Sequence, residues 1–557
     1  MKFGSVGDLI RGPYAEKIRN GLFAAFLVAA IAAKLALVSD LSVQIIFSPH
    51  DDSLYVMRAL NLLNGAGFGA YDGRLLIKLP GISLCLAGLR ILGLPYMFTL
   101  NLLYIAAGLY FLSGLARCGF GRAGMLLAMT LYLFNPVTFI YEWTRIFREP
   151  LSTVLLVTLL AAMLHVLLAV RDKRSVLPHM LVLGCAFSIA LLVREEDRLL
   201  WGAYLIFFVV VLIQDRWSAL RVPVHKWRTL GFVALLPAAM ALGANFVIHA
   251  YVESRYGLPI VYEFGEGEFP KLLAAIRGIE TRKDNRLVMV PQEALAKLRS
   301  EVPDFAPVVD RIPPPGPKTY SCQLQGVCSE WSNGWMPFWI RDAAADAGLT
   351  PDLPTAQKYF RRIRGDIEEA CRTGRLVCRY KGSGLIPPFE LRWTRAYLHE
   401  LRRLAGMFLM PTLNVAADSY VDLDVSTELA NIFRVVTMTD NQVRPNPQNS
   451  FLNPIASWRA NLIAAYRPLA LVLLLLSVPA LGYLWTKTSW REAGPFLWVT
   501  TVFAILTGVR IAVLAYGAVF FGPFTSRLAF STYAVAAMLA PLILIEAARQ
   551  FHIARKP

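Results

Sequence analysis

The segment Ser48-Pro49-His50-Asp51-Asp52-Ser53-Leu54-Tyr55 sets two adjacent carboxylates and an imidazole where an amphipathic helix, about 52–64, begins. Ser48 or Asp51 could cap that helix, and negative charge suits its N-terminus. Capping accounts for one acid better than for two beside a histidine. A carboxylate here could instead deprotonate an attacking hydroxyl or amine. His50, Asp51 and Asp52 could also hold a divalent metal. Spacing alone leaves these readings level.

Three other groups carry charge beside apolar runs. Tyr141 to Pro150 contains Glu142, Arg145, Arg148 and Glu149. Glu149 and Pro150 suit the first turn of a helix, whereas the arginine pair could grip a phosphate. Arg194-Glu195-Glu196-Asp197-Arg198 reads equally well as a solvated, self-neutralising turn or as a site. Arg510 lies inside an apolar run and Arg527 opens the next, after Gly522-Pro523. An arginine within a bilayer costs about 2.5–3.5 kcal/mol and needs an anionic partner, protein or lipid.

The elements that must position these groups are read from the apolar runs. The chain has 557 residues, 56% hydrophobic and only 17% charged, with a net charge of +17. Soluble domains carry roughly 25% charge, and disorder requires low hydrophobicity. Ten runs approach the roughly 20 residues that cross a bilayer: 20–38, 97–116, 123–140, 150–170, 176–193, 199–213, 229–249, 460–485, 494–520 and 528–547. Run 79–94 is shorter, opens with Leu79-Pro80-Gly81 and reads as an interfacial or re-entrant helix. Lys34, near the outer end of the first run, is expected to snorkel.

Ten spans put both termini on one side. The segments then facing the cytoplasm hold 18 Lys/Arg against 6 Asp/Glu, as the positive-inside rule requires. They account for +12 of the +17, so the charge is mainly a topology signal and no argument for nucleic acid. Residues 1–249 form an N-terminal membrane module of seven spans, with the first outer loop at 39–96. Residues 250–455 form an extracytoplasmic domain with 25 Lys/Arg and 24 Asp/Glu, and 456–557 form a C-terminal module of three spans.

In the outer domain, Pro303, Pro307, Pro313, Pro314, Pro315 and Pro317 read as extended linker. Ala356 to Cys371 has helical spacing, with Gly374 placed for a C-cap, and 389–404 is a second amphipathic stretch. The aromatic run Trp331 to Trp339 suits a small core at least as well as a sugar-binding face. Cys322 with Cys328 and Cys371 with Cys378 would form local disulfides in an oxidising compartment; four free thiols are the alternative.

Asp51-Asp52-Ser53-Leu54-Tyr55 followed by Ala59 resembles the first-loop signature of GT-C membrane glycosyltransferases, in the branch of protein O-mannosyltransferases and aminoarabinose lipid A transferases. That signature is Asp-Glu-small-x-Tyr-x-x-x-Ala, so the second acid here departs mildly. Lys78-Leu79-Pro80-Gly81 is similar to the family's Lys-Pro-Pro segment, with Leu79 in place of the first proline. Arg117 to Arg122 matches a basic first cytoplasmic turn. Arg148-Glu149 falls where the family has a second acidic residue, and Arg527 where many members carry an arginine. The resemblance is firmest over about 40–200.

It implies an all-α polytopic enzyme that moves a sugar from a polyprenyl-phosphate donor to a lipid, glycan or protein acceptor of the cell envelope, by inverting single displacement on the outer face of a bacterial-type inner membrane. Asp51 is then the general base and Asp52 orients acceptor or base. Arg148, Arg510 and Arg527, with Lys78 behind them, face the lipid phosphate, and Tyr55 and Glu149 complete the donor site. No cofactor is required outright, and a divalent metal at His50, Asp51 and Asp52 stays open. A transporter or flippase of lipid-linked sugars, or a polysaccharide polymerase or ligase, is the competing reading.

Overall fold

A computed structural model describes residues 13–216, 224–282, 285–379, 387–416, 421–422, 424–439, 454–488, 493–522 and 526–554. The basic start before residue 13, part of the basic loop 214–228, Pro523 and the last three residues lie outside the described set.

Among the described residues, eighteen helices have ten residues or more. The first half of the chain holds α1 (Pro13–Val38), α2 (Asp52–Leu63), α3 (Gly81–Ile91), α4 (Tyr96–Arg117), α5 (Arg122–Leu133), α6 (Arg148–Arg171), α7 (Leu177–Val193), α8 (Leu200–Arg216) and α9 (Val224–Tyr256). The polar middle holds α10 (Phe269–Gly278), α11 (Gln292–Glu301), α12 (Met336–Asp346), α13 (Leu353–Arg372), α14 (Thr394–Leu409) and α15 (Thr427–Thr437). The chain closes with α16 (Pro454–Lys487), α17 (Pro495–Phe521) and α18 (Phe530–Ala554). Extended pairing is limited, among described residues, to three isolated bridges. The protein is all-α and polytopic.

Seven helices are long and apolar enough to cross a membrane: α1, α4, α6, α9, α16, α17 and α18. The other three expected runs form shorter apolar helices, α5, α7 and α8. In the run 123–140 the helix stops before Asn135-Pro136, where the Asn135 side chain accepts from the Val137 amide and starts a separate 3-10 turn. Helix α3 is short, as its sequence predicts. Gly81 lies against the Leu192 carbonyl at the end of α7, where any Cβ would collide.

Helix α6 is the centre of the bundle. It is buried nearly all round, as a helix apolar on every face should be, and packs against α4, α7, α8, α17 and α18. Its first residues are Arg148 and Glu149, so the most enclosed helix carries the charged pair at its end. Lys34 does not snorkel. It is fully buried, donates to Thr138 Oγ1 and lies 3.9 Å from the Phe139 ring centroid. The ring face and hydroxyl satisfy the ammonium inside the bundle.

A second apolar core forms in the polar middle. It is built from Leu272, Leu273 and Ile276 of α10, Met336 and Ile340 of α12, and Phe360, Ile363 and Ile367 of α13. Leu54 and Ile77 of the first loop belong to it as well. Trp331 is buried there and meets Trp339 at 5.0 Å, so the aromatic run serves as core. Gly374 follows α13 at φ +77°, the left-handed conformation a helix C-terminus uses. Both local disulfides form, Cys322–Cys328 and Cys371–Cys378. The proline strip is less extended than expected: Pro303 and Pro307 sit in the first turns of short helices, where a missing amide costs nothing.

Polar clamps join this middle part to the membrane helices. Asn333 and Gln325 donate to the Phe520 and Phe521 carbonyls at the end of α17, at 2.6 and 2.7 Å. These are orphan acceptors of a helix terminus. Glu263, fully buried, accepts from Arg341 at 2.7 Å, Gln357 at 2.9 Å and Tyr71 at 3.0 Å. Its own amide donates to Leu76 at 2.8 Å, which fixes the loop carrying Lys78. Removing one member of a buried pair strands the other. We therefore expect Glu263→Ala to destabilise the chain by about 3–5 kcal/mol in equilibrium unfolding of the detergent-solubilised protein; a loss below about 1 kcal/mol would rule the clamp out as a major contact.

Candidate active site

The start of α2 presents Asp51 at the N-cap position and Asp52 as first residue. Asp51 makes no capping hydrogen bond with its side chain, so the capping reading fails for it. The two carboxylates have separate surroundings. Asp52 is fully buried and accepts from Arg145 twice, Nε to Oδ1 at 3.1 Å and Nη2 to Oδ2 at 2.6 Å. Asp51 keeps about a quarter of its side chain exposed, with Lys78 Nζ 3.4 Å from Oδ1.

Electrostatics follow the same division. Burial pushes the Asp52 carboxyl up to about 6, and Arg145 limits the rise. For Asp51 burial acts in the same direction, but Lys78, Arg527, Arg148 and Arg145 together outweigh it and hold the carboxyl below its ordinary range. One acid is spent on architecture and its neighbour is kept ionised.

Tyr55 and Arg58 extend the same face of α2, at the spacing that aligns side chains along a helix. Arg58 is buried and donates to the Lys78 carbonyl at 3.0 Å, so α2 positions the lysine as well as the acids. The Tyr55 hydroxyl is buried and makes no hydrogen bond; burial raises its pKa.

Arg145 also stacks on Phe147, 3.8 Å from its centroid, and Arg527 lies 4.8 Å from the same ring. Arg527 reaches Glu149 at 3.8 Å. Arg148 pairs with Glu195, and fully buried Arg194 pairs with Glu196, its Nε at 3.0 Å. The cluster 194–198 is therefore only in part a solvated turn: Arg194 is buried and Glu195 is paired from another helix, while Arg198 stays exposed. The sequence places its charges at the end of an apolar run but cannot show that Arg148 comes from another helix to meet them. Burial raises Asp197 to about 6 against the pull of Arg194 and Arg510.

Arg510 is buried inside α17 and donates to Ser531 Oγ at 3.2 Å; its Nε and Nη2 have no partner. It lines a cleft whose polar end holds Glu196, Asp197, Ser531 and Thr532. The cleft continues along Leu156, Leu159 and Leu506 to Met163 and Phe187. A polar end, where Arg510 stands with two carboxylates, leads into an apolar groove, the two-part lining an amphiphile requires.

The metal candidates are not brought together. Asp52 turns to Arg145 and Asp51 to Lys78. His50 faces the middle part instead, 3.5 Å from Asp342 and 4.7 Å from the Phe338 ring. Asp342 also accepts from Arg74 at 3.0 Å. Among the described residues no three His, Cys, Asp or Glu side chains gather around one point. These donors do not fit a metal site.

Arg145→Gln should leave Asp52 buried without its counter-charge. A loss of about 3–5 kcal/mol of pairing corresponds to roughly two pH units or more, which lifts Asp52 from about 6 to above neutrality. Infrared difference spectroscopy at pH 7 should then show a protonated carboxyl that disappears when Asp52→Asn is added. Its absence would mean that Arg145 does not hold Asp52 ionised.

No family model and no curated protein matches the chain. Two solved structures are similar to it: ArnT from Cupriavidus metallidurans in the apo state and the same protein bound to undecaprenyl phosphate. Each is 13% identical with a TM-score of 0.31, and they cover 91% and 90% of this chain and 78% of that chain. The likeness is broad in coverage and loose in superposition, and it assigns no residue a role.

Proposed function

We propose that the protein transfers a sugar from a polyprenyl-phosphate donor to a hydroxyl- or amine-bearing acceptor at the outer face of the membrane. The observation that carries this is the divergence of the two neighbouring acids: Asp51 is partly open and held ionised, Asp52 is closed on Arg145. Asp51 takes the proton from the attacking acceptor. The acceptor atom bonds to the anomeric carbon from the side opposite the phosphate, and the carbon–oxygen bond to the lipid phosphate breaks, inverting the centre. The leaving phosphate gains negative charge, which cations nearby stabilise.

Arg510, with two free donor atoms, and Arg527, held only at 3.8 Å from Glu149, are the side chains best able to take it up. Arg148 is committed to Glu195 and acts by shaping the field around Asp51. Glu149 holds Arg527, and Lys78 holds Asp51 in its ionised form. Asp52 is a positioning residue that keeps α2 against Arg145. The site faces the outer leaflet, the termini lie in the cytoplasm, and 250–455 is extracytoplasmic.

In membranes supplied with a polyprenyl-phosphate sugar, Asp51→Asn should lower transfer by about 10²–10⁴-fold with the protein still folded, the size of a lost general base. Undiminished transfer would remove Asp51 from that role. Movement of labelled lipid across liposomes without a new glycosidic bond would point to a transporter.

The acid limb of the pH profile should lie near 6 and belong to Asp52. As pH falls through that value Asp52 takes a proton and Arg145 loses its counter-charge, while Asp51 stays ionised. Because the folded value lies above the ordinary 3.8, protonation of Asp52 favours the folded state, so activity should fall there without unfolding. Asp52→Asn should abolish the limb at 6; a limb unchanged in that variant contradicts the assignment.

A further inference from the structure

The end of the bundle opposite Asp51 holds a second cavity, of about 210 Å³, where the ends of α4, α6, α16, α17 and α18 meet. The two sites are separated by α6, whose 24 residues span about 36 Å at 1.5 Å each, close to a bilayer's thickness. Arg148 opens that helix beside Asp51 and Arg171 closes it at the cavity.

The lining has two chemistries. Phe120, Leu484, Phe496 and Leu497 supply an apolar lining, and Arg171 and Arg549 line the same cavity. Asp172 accepts from both Arg171 Nε at 2.9 Å and Arg117 Nη2 at 2.8 Å, so two guanidiniums share one carboxylate. Glu546 lies 3.8 Å from Arg549. Among these described side chains three cations meet two anions, one positive charge over.

Two further observations point to an anion at headgroup depth. Helix α17 begins on the cavity at Pro495, and its N-cap, Gly494, has no side chain to cap the first turn. The positive end of a 27-residue helix thus adds to the arginines. Beside it Trp485 and Trp498 pack at 5.0 Å, and Trp485 donates to Thr501 at 2.9 Å. Tryptophan is the residue enriched where bilayer meets water.

We infer that this cavity holds the phosphate of an anionic phospholipid from the leaflet opposite the Asp51 site. Arg171, Arg549 and the α17 N-terminus take the phosphate. Thr488 and Gln550 are placed for the headgroup's polar atoms, and the acyl chains lie along the Leu484 and Leu497 wall. No bond forms or breaks. The site is independent of the transfer reaction proposed above.

The test uses the full chain, purified in neutral detergent and followed by thermal unfolding against phosphatidylglycerol vesicles, phosphatidylcholine vesicles and inorganic phosphate. Phosphatidylglycerol should raise the melting temperature and phosphatidylcholine should not. Arg549→Gln, at a side chain 60% exposed and so tolerant of change, should shift the phosphatidylglycerol dose curve about tenfold to higher lipid, the worth of one charge-assisted bond. Leu497→Trp, which fills the cavity and keeps its charge, should do the same. Equal stabilisation by both lipids, or an unchanged curve in both variants, would overturn the proposal. Full stabilisation by inorganic phosphate alone would assign the site to a free anion and overturn its lipid part.

Discussion

The bidentate contact between Asp52 and Arg145 is the interaction on which the site depends. Two carboxylates side by side at the head of a helix repel each other and compete for the same cations. Closing Asp52 on Arg145 inside the protein removes it from that competition and anchors α2 to the segment leading into α6. Asp51, one residue away, is left at the surface of the same helix start with Lys78 beside it and further arginines acting from a distance. Architecture and reactivity are thus divided between neighbours that sequence alone presents as a pair.

The rest of the fold serves that arrangement. Helix α6 is enclosed almost completely and carries Arg148 and Glu149 at its end, where Glu195 and Arg527 meet them. From the polar middle, α12 brings Asp342 to His50 and Arg74, while Arg341 of the same helix reaches Glu263, whose amide holds the Lys78 loop. Charge near a bilayer is tolerated when paired. The exceptions are informative: Arg510 keeps two buried donor atoms unpaired at the polar end of a groove.

The legible part of this architecture is the part with a one-dimensional signal. Each of the seven helices long enough to cross a membrane lies on an expected apolar run, but 123–140, read as one span, breaks at Asn135-Pro136. Helix α13 follows from its spacing and Gly374. Asp51, Arg510 and Arg527 stand out because charge beside an apolar run is costly, whereas Lys78 is marked only by the resemblance of its segment to the Lys-Pro-Pro pattern. What the sequence hides is pairing across the chain. Arg145 lies 93 residues from Asp52 and Arg148 lies 47 from Glu195, and nothing local marks either partner. The same blindness makes 194–198 look solvated, lets Lys34 look free to snorkel, and lets His50 look like a ligand beside the aspartates when it faces Asp342.

A structure of the full chain with a polyprenyl phosphate bound tests the central claim most directly. The account places the phosphate on Arg510 or Arg527, its prenyl chain along the Leu156–Leu159–Leu506 groove, and Asp51 open to the same space. A phosphate bound away from both arginines, or an Asp51 sealed off from it, would contradict the account.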